Sequence, residues 1–279
     1  MLGGLLILLA GCFPEPKESP TKGYLKCYAD ESLMNVVKDE RDAFVNLYSN
    51  SKIDLQQVKA REGIAAVLNG EAKMFVCSRG LNDEESNFIT KSKSDARVFK
   101  FCYDAIAIIE RANGKLDKIK TDELKQLLLG ERTDVKVYMP EANSGVYEFL
   151  KSQLLDGKNP TGAVILKSED EVINKIKSTK NSIGLVGLNT LKNISGVEIL
   201  EVGTSERGIT GNQYYEPLAG YLENGAYPLV RTTYIIINEV GLHVASGFAT
   251  FLTSNDGQKI VLSNNLGPAT VPVKLIQTN

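Results

Sequence analysis

The sequence predicts an α/β fold of two lobes, each a mixed, mostly parallel sheet flanked by helices, with a ligand cleft between them. Three observations carry this. Short apolar runs of strand character alternate with stretches whose apolar residues recur at helical spacing, the order that builds a parallel sheet with crossover helices. The same plan begins again near residue 109 with new elements, although the sequence itself does not repeat. A strong strand pattern over residues 232–238 then comes late enough to return to the first lobe and leave it discontinuous. Two lobes joined by two crossings enclose a cleft, a usual place for a small ligand.

In the first lobe, residues 24–28, 53–58 and 74–77 read as strands. A helix is expected from about Asp30 and Ser32, with Leu33, Val36, Val37, Phe44, Leu47 and Tyr48 on its buried face. A second covers residues 61–68 and closes at Gly70. Residues 98–109 read as a long buried strand, and the polar run 110–118 as the crossing between lobes. The second lobe is expected to hold helices over residues 121–129 and 144–155, stopped by Gly130 and Gly157, and strands over 135–139, 183–186 and 197–202. A further helix opens at Ser168-Glu169-Asp170-Glu171, which has capping-box spacing. Helices around 242–252 and 258–262 and an apolar run 271–276 close the chain. The lobes are therefore expected at residues 23–108 and 230–279 for the first and 109–229 for the second.

Of 279 residues, 32 are basic and 34 acidic, so the net charge of −2 provides no broad field for nucleic acid. Any anion site must be built locally. His243 is the single histidine and no CxxC occurs, so no metal site is expected. No Gly-rich nucleotide loop or serine elbow appears, and neither catalytic residues nor a cofactor are expected. Cys27, Cys77 and Cys102 lie in apolar runs and read as small buried residues on neighbouring strands.

The first twelve residues, MLGGLLILLAGC, are apolar but fall short of the roughly 20 needed to span a bilayer. Residues 1–11 read as a signal peptide. Leu9-Ala10-Gly11-Cys12 resembles the lipobox of bacterial lipoproteins, in which the chain is cut before the cysteine and a lipid is joined to its thiol. Residues 12–22, rich in Pro, Ser and charge, then form a tether. The expected location is the cell envelope, outside the cytoplasm, with the membrane reached through the lipid on Cys12.

Four loops are candidate anion sites. Ala29-Asp30-Glu31-Ser32, Ala60-Arg61-Glu62-Gly63 and Asn143-Ser144-Gly145 each follow a strand and open a helix, where unpaired N–H groups and the helix dipole favour an anion. Ser78-Arg79-Gly80 adds a guanidinium able to grip an oxyanion with two bonds. Ordinary capping explains any one of them alone.

The chain resembles the PstS-like phosphate-binding family of periplasmic binding proteins over nearly its whole mature length. The resemblance is carried by Tyr227-Pro228-Leu229-Val230-Arg231 with the strand after it, and by Gly247-Phe248 and Gly257-Gln258-Lys259-Ile260. Gly267-Pro268-Ala269, Asp30-Glu31-Ser32, Ser78-Arg79-Gly80-Leu81 and Tyr103-Asp104-Ala105 add further landmarks. It implies a type II periplasmic binding protein fold and capture of phosphate or a related oxyanion for an ABC permease and ATPase, by a monomer. By position it implies ligand contacts from Ser32, Leu33, Ser78, Arg79, Ser144, Gly145 and Val146. Three departures stand out: Ser144-Gly145-Val146 replaces a Ser-Gly-Thr type start, no arginine shortly precedes Ser144, and Arg79 stands near the position of a proton-accepting aspartate. The alternatives are a binding protein of this fold retuned to another small solute, and a sensor or interaction scaffold without a transport role.

Changing Cys12→Ser removes the lipid acceptor. The variant is expected in the soluble extracytoplasmic fraction, and its retention on membranes after a high-salt wash would contradict the lipobox reading.

Overall fold

A single 16-residue strand joins the two halves of the molecule. The computed structural model describes residues 18–92, 94–204 and 213–270. Cys12 and the apolar run 271–276 lie outside the described residues. In chain order the strands are β1 (Gly23–Asp30), β2 (Ser51–Val58), β3 (Met74–Cys77), β4 (Ala96–Arg111), β5 (Lys118–Lys120), β6 (Lys136–Pro140) and β7 (Ala163–Leu166). They continue with β8 (Ser182–Gly187), β9 (Val197–Ile199), β10 (Glu201–Gly203), β11 (Tyr214–Tyr215), β12 (Val230–Asn238) and β13 (Gly267–Pro268). The helices are α1 (Met34–Leu47), α2 (Ala60–Leu68), α3 (Asp83–Ser92), α4 (Thr121–Leu129), α5 (Gly145–Gln153), α6 (Glu169–Ser178), α7 (Ala219–Glu223), α8 (Val244–Leu252) and α9 (Asn255–Ser263).

The main sheet runs β2-β1-β3-β12-β4-β8-β6-β7, with β13 and β9 also pairing with β4. Within each half the outer strands are parallel: β1 with β2 and β3, and β6 with β7 and β8. Within the main sheet the described antiparallel pairings all involve β4 or β12. Up to Ala105, β4 pairs with β12; from Ile106 it pairs with β8. The passage between halves thus lies inside β4. At the same level the chain returns, Leu229 accepting a hydrogen bond from the Ile106 amide at 2.9 Å and Val230 lying opposite Ala105. The polar run after the strand does not carry the crossing. It makes a turn, in which the Glu110 carboxylate accepts the amides of Lys115 and Leu116.

Burial follows the pleat. On β3, Met74 and Val76 enter the large core while Phe75 and Cys77 face a smaller cluster with Ile64 and Val67 of α2. Helix α2 approaches closely because residue 63 is glycine: a Cβ there would meet the Phe75 ring at 2.5 Å. Cys27, Cys77 and Cys102 are buried and unpaired, and burial pushes their thiols up.

Some expectations require correction. Helix α1 begins after a 3-10 turn at Glu31–Leu33 and buries Val36, Val37 and Phe44, but Leu47 and Tyr48 are exposed. Phe44 meets Phe248 and Phe251 of α8, so burial ends one turn before the helix does. Val98 and Phe99 are also exposed, because over residues 96–100 β12 is the strand partner of β4 among the described residues. Helix α3 was not anticipated, since it has no buried face. Its signal was present in Asn82 and Glu85, which cap one another through reciprocal 2.8 Å bonds.

Ile106 is fully buried where the two halves meet. Ile106→Ala is expected to lower unfolding free energy by about 2–5 kcal/mol in urea titrations, still in one cooperative transition because both halves share β4.

Candidate functional site

The polypeptide brings three loop ends together at this level. The loop after β1 supplies Asp30 and Ser32, the loop after β3 supplies Ser78, and the N-terminus of α5 comes from the opposite half. All three side chains and Ser144 are buried. Asp30 accepts the Ser32 amide at 3.1 Å and the Ser78 hydroxyl at 2.8 Å. Helix α5 starts directly over this pair, since a Cβ on Gly145 would lie 1.8 Å from Ser78 Oγ and 3.1 Å from Asp30 Oδ2. Glycine at 145 is therefore a condition for the halves to close. Ser144 caps its own helix, its hydroxyl accepting the Tyr147 amide at 3.2 Å, while the first-turn amides of Gly145 and Val146 lie ahead of any acceptor within the helix.

A carboxyl from the second half reaches into the same place. Glu169, the first residue of α6, accepts the Gly187 amide at 2.8 Å and the Thr190 hydroxyl at 2.5 Å. Ser32 Oγ lies 2.7 Å from Glu169 Oε1 and 2.9 Å from Asp30 Oδ1. One hydroxyl proton cannot serve two ionised carboxylates. Burial, the largest influence on Glu169, raises its pKa against the pull of Arg231 and the bonds from Thr190 and Ser32. Glu31 beside them is pushed up to about 8, by burial first and then by the charges of Glu169 and Asp30.

The balancing cation is Arg231 on β12, which lies directly opposite Asp104 on β4. Its Nε and Nη2 donate to one Asp104 oxygen at 3.0 and 2.6 Å. Among the described residues, Arg231 Nη1 and Asp104 Oδ1 are buried without a hydrogen-bond partner. Burial raises the Asp104 pKa against the pull of Arg231. Gly187 makes room for the guanidinium: a Cβ there would lie 2.8 Å from Arg231 Nη2 and 2.4 Å from Ser32 Cβ.

Of the residues singled out in the sequence, the fold gathers Ser32, Ser78, Ser144 and Gly145, with Leu33 and Val146 buried next to them. Arg79 is differently engaged. Its guanidinium donates to both Glu85 oxygens at 2.8 Å, to the Gly80 carbonyl, and to Glu148 on α5 across the cleft. The loop at Ala60–Gly63 stays apart from the cluster: Arg61 is exposed and lies 3.4 Å from Glu148, while Lys59 pairs with Glu141 of the other half. Sequence reasoning did not give roles to Asp104, Glu169 or Arg231. For Asp104 and Arg231 a signal existed, because a charge inside an apolar strand must find a partner once buried.

Two α/β halves sharing β4 and β12, with helix N-termini meeting across a buried polar seam, define the type II periplasmic binding protein fold. The chain belongs to the PBP superfamily domain family, which it matches over residues 14–256. Within it the sequence is PstS-like. It is 29% identical over 234 residues to the phosphate-binding protein PstS of Borreliella burgdorferi, covering 76% of this chain and 78% of that one. A substrate-binding protein with bound phosphate from Clostridium perfringens superposes with a TM-score of 0.76 at 19% identity, over 89% of this chain and all of the other. PstS from Borrelia burgdorferi gives 0.56 at 22% identity, over 90% of this chain and 100% of that one. No described helix is long and apolar enough to cross a membrane.

Because the native pKa of Glu31, about 8, lies above the roughly 4.3 of an unfolded glutamate, the folded chain holds a proton that the unfolded chain has released in between. Stability conferred by this group is complete below about pH 4.3 and is lost as pH rises towards 8. Glu31→Gln should therefore gain stability relative to the parent between pH 5 and pH 8, read as the difference in urea midpoint at the two values.

Proposed function

We propose that the protein is an extracytoplasmic solute-binding lipoprotein that captures phosphate or a similar tetrahedral oxyanion and delivers it to the permease and ATPase of an ABC importer. The reading rests above all on Arg231, a buried guanidinium with one unpartnered nitrogen, set among hydroxyls and helix N-terminal amides contributed by both halves. Charge-assisted bonds of this kind contribute about 1.5–3 kcal/mol, against roughly 0.5–1.5 for neutral ones. The ligand contacts proposed from the sequence are Ser32, Leu33, Ser78, Arg79, Ser144, Gly145 and Val146; Arg231 joins them. For Arg79 to take part, a ligand must draw it away from Glu148. The PstS relatives, named for phosphate binding, support the ligand class. Lobes at 23–108 with 230–279 and at 109–229 would part about the adjoining levels of β4 and β12, admitting the solute to a seam that is closed here.

Calorimetric titration with phosphate, arsenate, sulfate and molybdate tests this. At least one of the four should bind, with Ser78→Ala weakening it roughly three- to tenfold. If none of them binds to the wild type, the oxyanion reading is wrong.

A further inference from the structure

Strand β1 runs from Gly23 to Asp30, so with Asp30 at the polar seam Gly23 stands about 23 Å away, at a rise of about 3.3 Å per residue. Around Gly23 gather the end of α1, the loop between β12 and α8, and the residues that follow the tether. The Gly23 amide donates to the Asn50 carbonyl, just past α1, at 3.0 Å. A Cβ on Gly23 would lie 3.2 Å from Glu18 Cγ and 3.3 Å from Val244 Cγ2, and His243 Nδ1 is 3.9 Å from Glu18 Oε2.

Val240 and Leu242, in the loop before α8, are 75% and 65% exposed, the two highest values for large apolar residues among those described. Their exposure is imposed. The buried Glu239 carboxylate accepts the amides of His243, Ala245 and Ser246 at 3.1–3.4 Å and the Ser246 hydroxyl at 2.9 Å, while Gly241 turns the chain at a φ of +85°. Folding the loop inward would leave the first amides of α8 unpaired. Leu47 and Tyr48 at the end of α1 and Tyr24 beside Gly23 are exposed at the same end. Apolar residues exposed singly need no explanation, but these share one face, and tyrosine is enriched where a membrane meets water.

The tether decides what covers this face. Cys12 comes six residues before Glu18, a reach of about 20 Å even when fully extended. A lipid at Cys12 keeps the loop close to the bilayer, where a short linker makes a second contact effectively intramolecular. Building on the lipoprotein reading above, we infer that Val240 and Leu242 insert into the bilayer interface and seat the first half on the membrane by the end opposite the seam.

The chain has no tryptophan, so a single one reports its own surroundings. Leu242→Trp, and Val164→Trp on the outermost strand of the second half, are made in the full chain, purified from cell envelopes and reconstituted into phosphatidylethanolamine–phosphatidylglycerol vesicles with brominated acyl chains. Quenching by about half is expected at position 242 and none at 164, since an interfacial segment enters the acyl boundary by roughly 5–10 Å. Adding Val240→Asp to Leu242→Trp should abolish the quenching. Equal quenching at the two positions, or quenching untouched by Val240→Asp, would overturn the inference while leaving the anchor standing. Protein that fails to float with the vesicles would remove both.

Discussion

The arrangement depends on one buried charge. Arg231 sits on the strand by which the chain returns to its first half, opposite Asp104 on the strand by which it left, and both are nearly or fully buried. Removing an ion pair from water is costly, and leaving one member unpaired costs about 3–5 kcal/mol. The pair therefore ties β4 to β12 at the level where the halves meet. Its attraction extends further: the charges of Asp30 and Glu169 join Asp104 in raising the Arg231 pKa, although burial works against it. A carboxyl from each half is thus held towards one guanidinium.

That geometry explains why the seam is both tight and conditional. Glycines at 145 and 187 let backbone approach Ser78, Ser32 and Arg231 at distances no side chain would allow. The hydroxyl of Ser32 stands between the carboxylates of Asp30 and Glu169, which, fully ionised, would repel across the junction, and Ser78 donates to Asp30. Around the rim the signs are more favourable. Lys59, Arg61 and Arg79 of the first half meet Glu141 and Glu148 of the second. A partly exposed seam of this kind is screened by salt and contributes modestly, whereas the inner cluster, shielded from water, responds to protonation.

The family relationship and the local departures fit one physical account. Arg79, in the loop after β3, is matched by Glu148 on the facing helix α5. With Arg79 so engaged and no arginine shortly ahead of Ser144, the cation beside the buried carboxyls is Arg231 on β12.

Much of this was legible in the sequence. The alternation of elements, the helix stops at Gly70 and Gly130, the cap at Ser144 and the loops holding Ser32 and Ser78 follow from local rules of spacing and capping, which act over a few residues. The exposure of Leu47, Val98 and Phe99 did not, because whether an apolar residue is covered depends on elements distant in the chain. The same holds for the site. Sequence marked candidate loops at helix N-termini; only tertiary structure decided that Arg79 would face Glu148, that Glu169 would come within reach of Ser32 from 137 residues away, and that Arg231 Nη1 would be buried without a hydrogen-bond partner among the described residues. Electrostatic partnership is set by distance in space and by burial, and neither is written in the local pattern of a chain.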